Sequence, residues 1–147
     1  MKVINEVKVN FWSRSANEGF ARLAVSSFFA QLDPTVDELS DVKTAVSEAV
    51  TNSIVHGYRD TLGTVSMTLR ILEGNIAYIR IRDNGCGIPD IKQAMDPLFT
   101  TAPDEERAGL GFAVMQSFMD KVRVFSTPGR GTTVVMTKQI TSRAQNG

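Results

Sequence analysis

Glu48 and Asn52 lie four residues apart in a long helical pattern, Asp83-x-Gly85-x-Gly87 follows a strand pattern, and Gly109-x-Gly111 precedes another apolar helical run. Residues four apart share a helix face, so Glu48 and Asn52 can front one ligand. The neutral amide oxygen of Asn52 is a hard donor suited to Mg²⁺, a cation that keeps several waters and bridges nucleotide phosphates. Asp83, at a strand end, can accept the exocyclic amine of adenine, and Gly85 and Gly87 let the backbone pass close to a flat ring. Gly109 and Gly111 at a helix start can aim N–H groups at phosphates, helped by the helix dipole. Arg107, just before them, is positioned to reach a γ-phosphate through charge-assisted hydrogen bonds worth about 1.5–3 kcal/mol. Each group alone is commonplace; in this order they describe a nucleotide-binding site.

The elements that must carry these groups follow from periodicity. Val3, Val7, Val9 and Phe11 alternate with Glu6, Lys8 and Asn10, the pattern of a half-buried strand. From about Ala16 a helix presents Phe20, Leu23, Ala24 and Phe28 as its apolar stripe, with Arg22 projecting away from Phe20. Asp33-Pro34 ends it, and Thr35 with Glu38 forms a capping-box pattern for a second helix running to about His56, before Gly57. Leu39, Val42, Val46, Val50 and Ile54 make its core stripe, whereas Ala45, Glu48, Ala49, Asn52 and His56 form a shallow neighbouring face over which something bulky can approach.

Two alternating runs, Thr64 to Glu73 and Asn75 to Asp83, meet at Gly74-Asn75, a hairpin signal. A polar stretch from about Asp90 to Ala108 reads as a lid, followed by a helix from Gly109 to Met119. Strands at Val122 to Ser126 and Thr132 to Thr137 flank Pro128-Gly129-Arg130-Gly131, and the tail from Thr141 is expected to fray. The sum is an α+β two-layer sandwich, helices on one face of a mainly antiparallel sheet. No Walker-type Gly-x₄-Gly-Lys-Ser/Thr stretch occurs, and neither glycine pair completes a dinucleotide fingerprint.

A chain of 147 residues predicts one domain over 1–147. Sixteen basic and sixteen acidic residues cancel, so net charge gives no pull toward nucleic acid or membrane, and neither is expected as a direct partner. One cysteine, Cys86, supports neither a disulfide framework nor a thiolate metal site. The lone His56 likewise makes no metal site. Without a membrane-length apolar run or a secretory layout, a soluble cytoplasmic protein is expected.

These motifs resemble those of the superfamily that includes DNA gyrase B, Hsp90, the histidine kinases and MutL, whose nucleotide-binding fold is called Bergerat-type. Glu48-Ala49-Val50-Thr51-Asn52 with His56-Gly57 looks like its N box. Asp83-Asn84-Gly85-Cys86-Gly87-Ile88 and Gly109-Leu110-Gly111 look like its glycine boxes, and Gly131-Thr132-Thr133 like the motif closing the site, with Thr133 as the contact. Within it, Phe11 through Tyr58, together with Leu98-Phe99-Thr100-Thr101 and Glu106-Arg107-x-Gly109-x-Gly111-Phe112, resembles the anti-sigma factors of spore-forming bacteria, anti-sigma-F factors among them. Ala102 departs from that likeness, standing where a lysine is expected.

The resemblance implies a serine protein kinase that binds ATP or ADP with Mg²⁺, inhibits a sporulation sigma factor such as sigma F, and phosphorylates an anti-anti-sigma protein as a homodimer. It implies Glu48 as general base toward the attacking hydroxyl. Arg22 is the expected contact to acidic groups of a sigma factor. Two other readings stay open on the residues: a nucleotide-gated sigma-binding module without kinase activity, and a plain ATPase.

Overall fold

Alternating apolar residues build the sheet and 3.6-residue periodicity builds the layer on it. The computed structural model describes residues 1–88, Ile91, Met95 and 103–141, the side chains at 103–108 excepted. In chain order the elements are β1 (Val3–Trp12), α1 (Asn17–Phe29), a 3₁₀ turn (Ala30–Leu32), α2 (Val36–Asn52) and a π-helical turn (Ser53–Gly57). There follow β2 (Thr64–Leu72), β3 (Ile76–Asp83), α3 (Pro103–Phe118), β4 (Lys121–Thr127) and β5 (Gly131–Gln139). The strands form one sheet in the order β1-β2-β3-β5-β4, each pair antiparallel. The two-layer α+β architecture is the one expected. Among the described residues no helix is long and apolar enough to cross a membrane.

One face of the sheet supplies Val65, Met67, Leu69, Ile79, Ile81, Val134 and Met136 to the core, all buried. Onto it α2 brings Val42, Val46 and Val50, with Leu39 and Ile54 partly buried beside them. The β2–β3 hairpin turns at Gly74 and Asn75, both at positive φ (89° and 60°), as the two-residue signal predicts. The capping box is also present: the Glu38 N–H donates to Thr35 Oγ1, and the Thr35 N–H donates to the Glu38 carboxylate. The other Glu38 oxygen accepts both the N–H and the hydroxyl of Thr141 at 2.8 Å, so Thr141 is held rather than frayed, and the tail past it lies outside the described residues.

Two expected faces are shifted. In α1 the buried side chains are Ala21, Val25 and Phe29, whereas Phe20 and Leu23 are exposed, at 53% and 70%. Two apolar stripes overlap on this helix; the sheet takes one and leaves the other outward. In β1 only Phe11 is buried and Val9 half-buried, while Val3, Ile4 and Val7 are exposed, because β1 is an edge strand. The third helix begins at Pro103, six residues before the predicted start, and much of the predicted lid, Leu98 to Thr101 included, lies outside the described residues.

Replacing Thr35 with Ala removes the hydroxyl that accepts from Glu38 and should lower the unfolding free energy by about 1 kcal/mol, measured by urea denaturation.

Candidate functional site

The site forms where α2 runs out against the end of β3. The last turn widens to π geometry, with the Tyr58 N–H bonded back to the Ser53 carbonyl, a distortion frequent at functional sites. It brings Ser53, His56 and Gly57 against Asp83, and the approach is close: a Cβ at Gly57 would lie 3.1 Å from the Asp83 carboxylate. Gly85 is tighter still, since a Cβ there would lie 2.2 Å from the Gly57 carbonyl oxygen. Only glycine fits, and the contact it permits is the 2.8 Å hydrogen bond from the Cys86 N–H to that carbonyl.

Asp83 is 4% exposed. Burial pushes its carboxyl above the usual carboxylate range, against donation from the Gly85 N–H at 2.9 Å, the Ser53 hydroxyl and the Thr132 N–H. It fronts a narrow cavity of about 40 Å³ shared with Asn52, His56, Gly87, Phe112 and Thr132. A second cavity, about 310 Å³, continues past Asn52 and His56 to Glu48, Leu110 and Gly111. Asn52 thus stands at the junction of a closed end lined by Asp83 and an open end lined by Glu48.

The Asn52 amide nitrogen is buried and has no hydrogen-bond partner among the described residues. Such a group costs about 1–3 kcal/mol, so this side chain does not serve the fold. Turned about its amide axis, the side chain would offer its oxygen to the cavity, a hard donor that fits a cation bringing its other ligands as water and phosphate. Among the described residues no cluster of His, Cys, Asp and Glu could hold a metal by itself.

Gly111 sits directly on this pair: a Cβ there would come within 3.1 Å of both Glu48 Oε2 and Asn52 Nδ2. Ala45 and Ala49, expected to leave room over α2, are buried, and the bulk that approaches them is α3, packed along α2 with Phe112 and Met115 inward. Gly109 is also buried, and it lies inside α3 rather than at its first turn. The N–H groups of Gly109 and Gly111 are therefore helical in this conformation, a correction to the expected helix-start cradle. The side chain of Arg107 lies outside the described residues.

Thr133 needs correction too. It pairs with exposed Arg82 and faces away from the cavity, while Thr132, paired with Asp83, lines it. A one-residue change in a strand reverses the face. Arg22 is on the outer side of α1, ion-paired to Glu18 at 3.0 Å; Glu18 also accepts the Ser47 hydroxyl. Together with Thr51 these residues line an open cavity of about 490 Å³ one step along α2 from Glu48.

Sequence reasoning missed Tyr58. It is buried, its hydroxyl donates to the Thr64 carbonyl and accepts the Asn84 N–H at 2.7 Å, and its ring fills the space beside Gly63. One phenol thus ties the end of α2 to β2 and to the Asp83 loop. The only hint in the sequence is a large aromatic directly after the His56-Gly57 helix stop, outside any periodic stripe.

The model of the histidine kinase-like ATPase domain family matches residues 11–138. An anti-sigma F factor of Thermoanaerobacter sp. (strain X514) is 55% identical over 97% of this chain and 99% of its own length. Those of Clostridium novyi (strain NT) and Geobacillus kaustophilus (strain HTA426) are 55% and 53% identical over 94% and 92% of the chain, covering 96% and 93% of theirs. The fold is similar to that of the RsbU and RsbW domains of a Mycobacterium tuberculosis protein, with TM-score 0.68, 15% identity, and coverage of 92% of this chain and 32% of that one. It is also similar to a blue-light activated histidine kinase domain of Erythrobacter litoralis, with TM-score 0.57, 19% identity, and coverage of 84% and 61%. The chain belongs to the histidine kinase-like ATPase domain family and, within it, to the anti-sigma F factors. Membership of an ATPase domain family implies nucleotide binding by this domain.

Two outcomes follow. Asp83→Asn should weaken ADP binding by at least about tenfold and change how stability depends on pH. The sign comes from the raised carboxyl: between the ordinary value of 3.8 and the native one, the folded chain holds more protons than the unfolded chain, so stability falls as pH rises through that window. The variant should lose this decline in urea titrations at stepped pH. Tyr58→Phe keeps the ring and loses the hydroxyl bridge, and calorimetry should find ADP bound roughly three- to tenfold more weakly.

Proposed function

We propose that this chain is a protein serine kinase that binds Mg-ATP and ADP, inhibits a sporulation sigma factor, sigma F, and transfers the γ-phosphate to a serine of an anti-anti-sigma protein. The observation that carries this reading is the line Asp83–Asn52–Glu48 along two adjoining cavities. Buried Asp83 accepts the adenine amine, and its desolvation favours a ligand donor over water. Asn52 would hold Mg²⁺ by its amide oxygen, and the chemistry the ion would supply there is neutralisation of phosphate charge. Glu48, half-buried at the open end, accepts the proton of the serine hydroxyl. Gly87 lines the adenine end and Gly85 lets its loop meet Gly57, while Gly111, beside Glu48 and Asn52, is the glycine nearest the phosphate end, with Gly109 and Arg107 assigned there by the family resemblance.

The acceptor must reach Glu48 from outside, and the cavity between α1 and α2 supports docking there, with Arg22 presenting its free guanidinium edge to an acidic partner group. A homodimer is supported by the unpaired edge of β1, which carries exposed Val3, Ile4 and Val7 next to the outward Phe20 and Leu23 of α1. An apolar edge strand of this length invites pairing. On this reading the chain is a cytoplasmic regulator acting on proteins.

The test mixes the purified chain, Mg²⁺ and γ-labelled ATP with an extract of sporulating cells. Label should appear on serine of one small acceptor, and Glu48→Gln should abolish it while ADP affinity stays within about twofold. Free phosphate without labelled protein points to a plain ATPase, and unspent ATP to a nucleotide-gated binding module.

A further inference from the structure

The face of the sheet opposite the helices is strongly cationic although the chain as a whole is neutral. The register fixes which residues share it. Arg82 stands opposite Thr133, and Thr133 opposite Phe125; Arg80 opposite Val135, and Val135 opposite Arg123; Tyr78 opposite Thr137, and Thr137 opposite Lys121. Their neighbours along the strands, Ile79, Ile81, Val134 and Met136, are buried on the helix side, so these side chains point outward. β5 thus makes an uncharged floor of Thr133, Val135 and Thr137 between two basic walls, Arg80 and Arg82 on β3 and Lys121 and Arg123 on β4. The walls stand about 10 Å apart, two strand spacings.

Among the described residues none of these four cations has an ion-pair partner. Glu6, the acid on this face, is already shared by Lys8 and Arg70. Asp120, at the end of the trough, accepts the Gln139 N–H at 2.6 Å. A cavity of about 590 Å³ opens at that end, and Leu72, Ile76, Tyr78 and Val135 give it apolar walls. Phe125, at the other end, is 56% exposed.

We propose that this trough docks an acidic protein segment that carries apolar residues, with carboxylates on the basic walls and an apolar side chain in the cavity. Charge complementarity sets the sign, and the apolar cavity and Phe125 set the second requirement. Single-stranded nucleic acid suits it less. That ligand uses successive aromatics as stacking platforms, whereas Phe125 is isolated and the Tyr78 ring is already covered by the Arg70 guanidinium, 5.1 Å from its centroid. The trough is across the sheet from the cavities of the nucleotide site, so it can be filled while nucleotide is bound.

The test is fluorescence anisotropy with a labelled twelve-residue peptide of glutamates around a central Leu-Phe, run against full-length chain with ADP. Controls are a peptide with lysine for glutamate, an oligothymidylate of equal length, and phosphatidylglycerol vesicles. Saturable binding of the acidic peptide, weakened about tenfold or more by Arg80→Glu with Arg123→Glu, supports the proposal. Arg80→Gln with Arg123→Gln gives a smaller loss in the same direction and serves if the charge-reversed protein does not fold. ADP affinity, unchanged in both variants, separates this result from any failure of the nucleotide site. No saturable binding of the acidic peptide, binding indifferent to the substitutions, or tighter binding of oligothymidylate or vesicles overturns it.

Discussion

A carboxylate withdrawn from water must be surrounded by donors or become neutral, and the burial of Asp83 organises much of this molecule. Its donors come from separate parts of the chain: Ser53 from the end of α2, Gly85 from the loop that follows β3, and Thr132 from β5. None of these can shift without leaving the carboxylate short of a partner. The π turn at Ser53–Gly57 has a physical reason in this demand, because it delivers Ser53 and Gly57 to β3 where a regular helical turn would continue along its axis.

Around that point the backbone is stitched directly. The Gly57 carbonyl takes the Cys86 N–H, the Cys86 carbonyl takes the Gly129 N–H at 2.7 Å, and the Ser126 hydroxyl takes the Ile88 N–H at 2.7 Å. The loop carrying Asp83 is thereby tied to the helix on one side and the β4–β5 turn on the other. Tyr58 adds a third tie through its hydroxyl. A ligand that meets Asp83 therefore meets a group whose position is set beforehand, and preorganised acceptors lose little on binding.

The open end of the site has another character. Glu48 and Asn52 lie along a cavity that α3 flanks, and α3 comes against them at Gly111, where a larger residue would press on both. The alanines of α2 make that approach possible by letting Phe112 and Met115 into the core. The packing of α3 at Leu110, Gly111 and Val114 therefore sets the space in front of Glu48 and Asn52.

The sequence by itself determined the α+β order, the Thr35–Glu38 cap, the Gly74-Asn75 turn and the shared helix face of Glu48 and Asn52, since caps, turns and periodicity depend on neighbours a few residues away. Periodicity names the residues that can be apolar faces, but which face the sheet accepts is settled by the partner. For that reason Phe20, Leu23 and Val7 were legible as apolar and not as exposed, and Thr132 rather than Thr133 came to line the cavity through the pairing of β5 with β3. Tyr58 was illegible because its partners, Thr64 and Asn84, come from β2 and from the loop after β3. Only the tertiary structure decided the burial of Asp83, the unpartnered Asn52 amide and the cationic trough, because desolvation and charge density are properties of surfaces brought together across the chain.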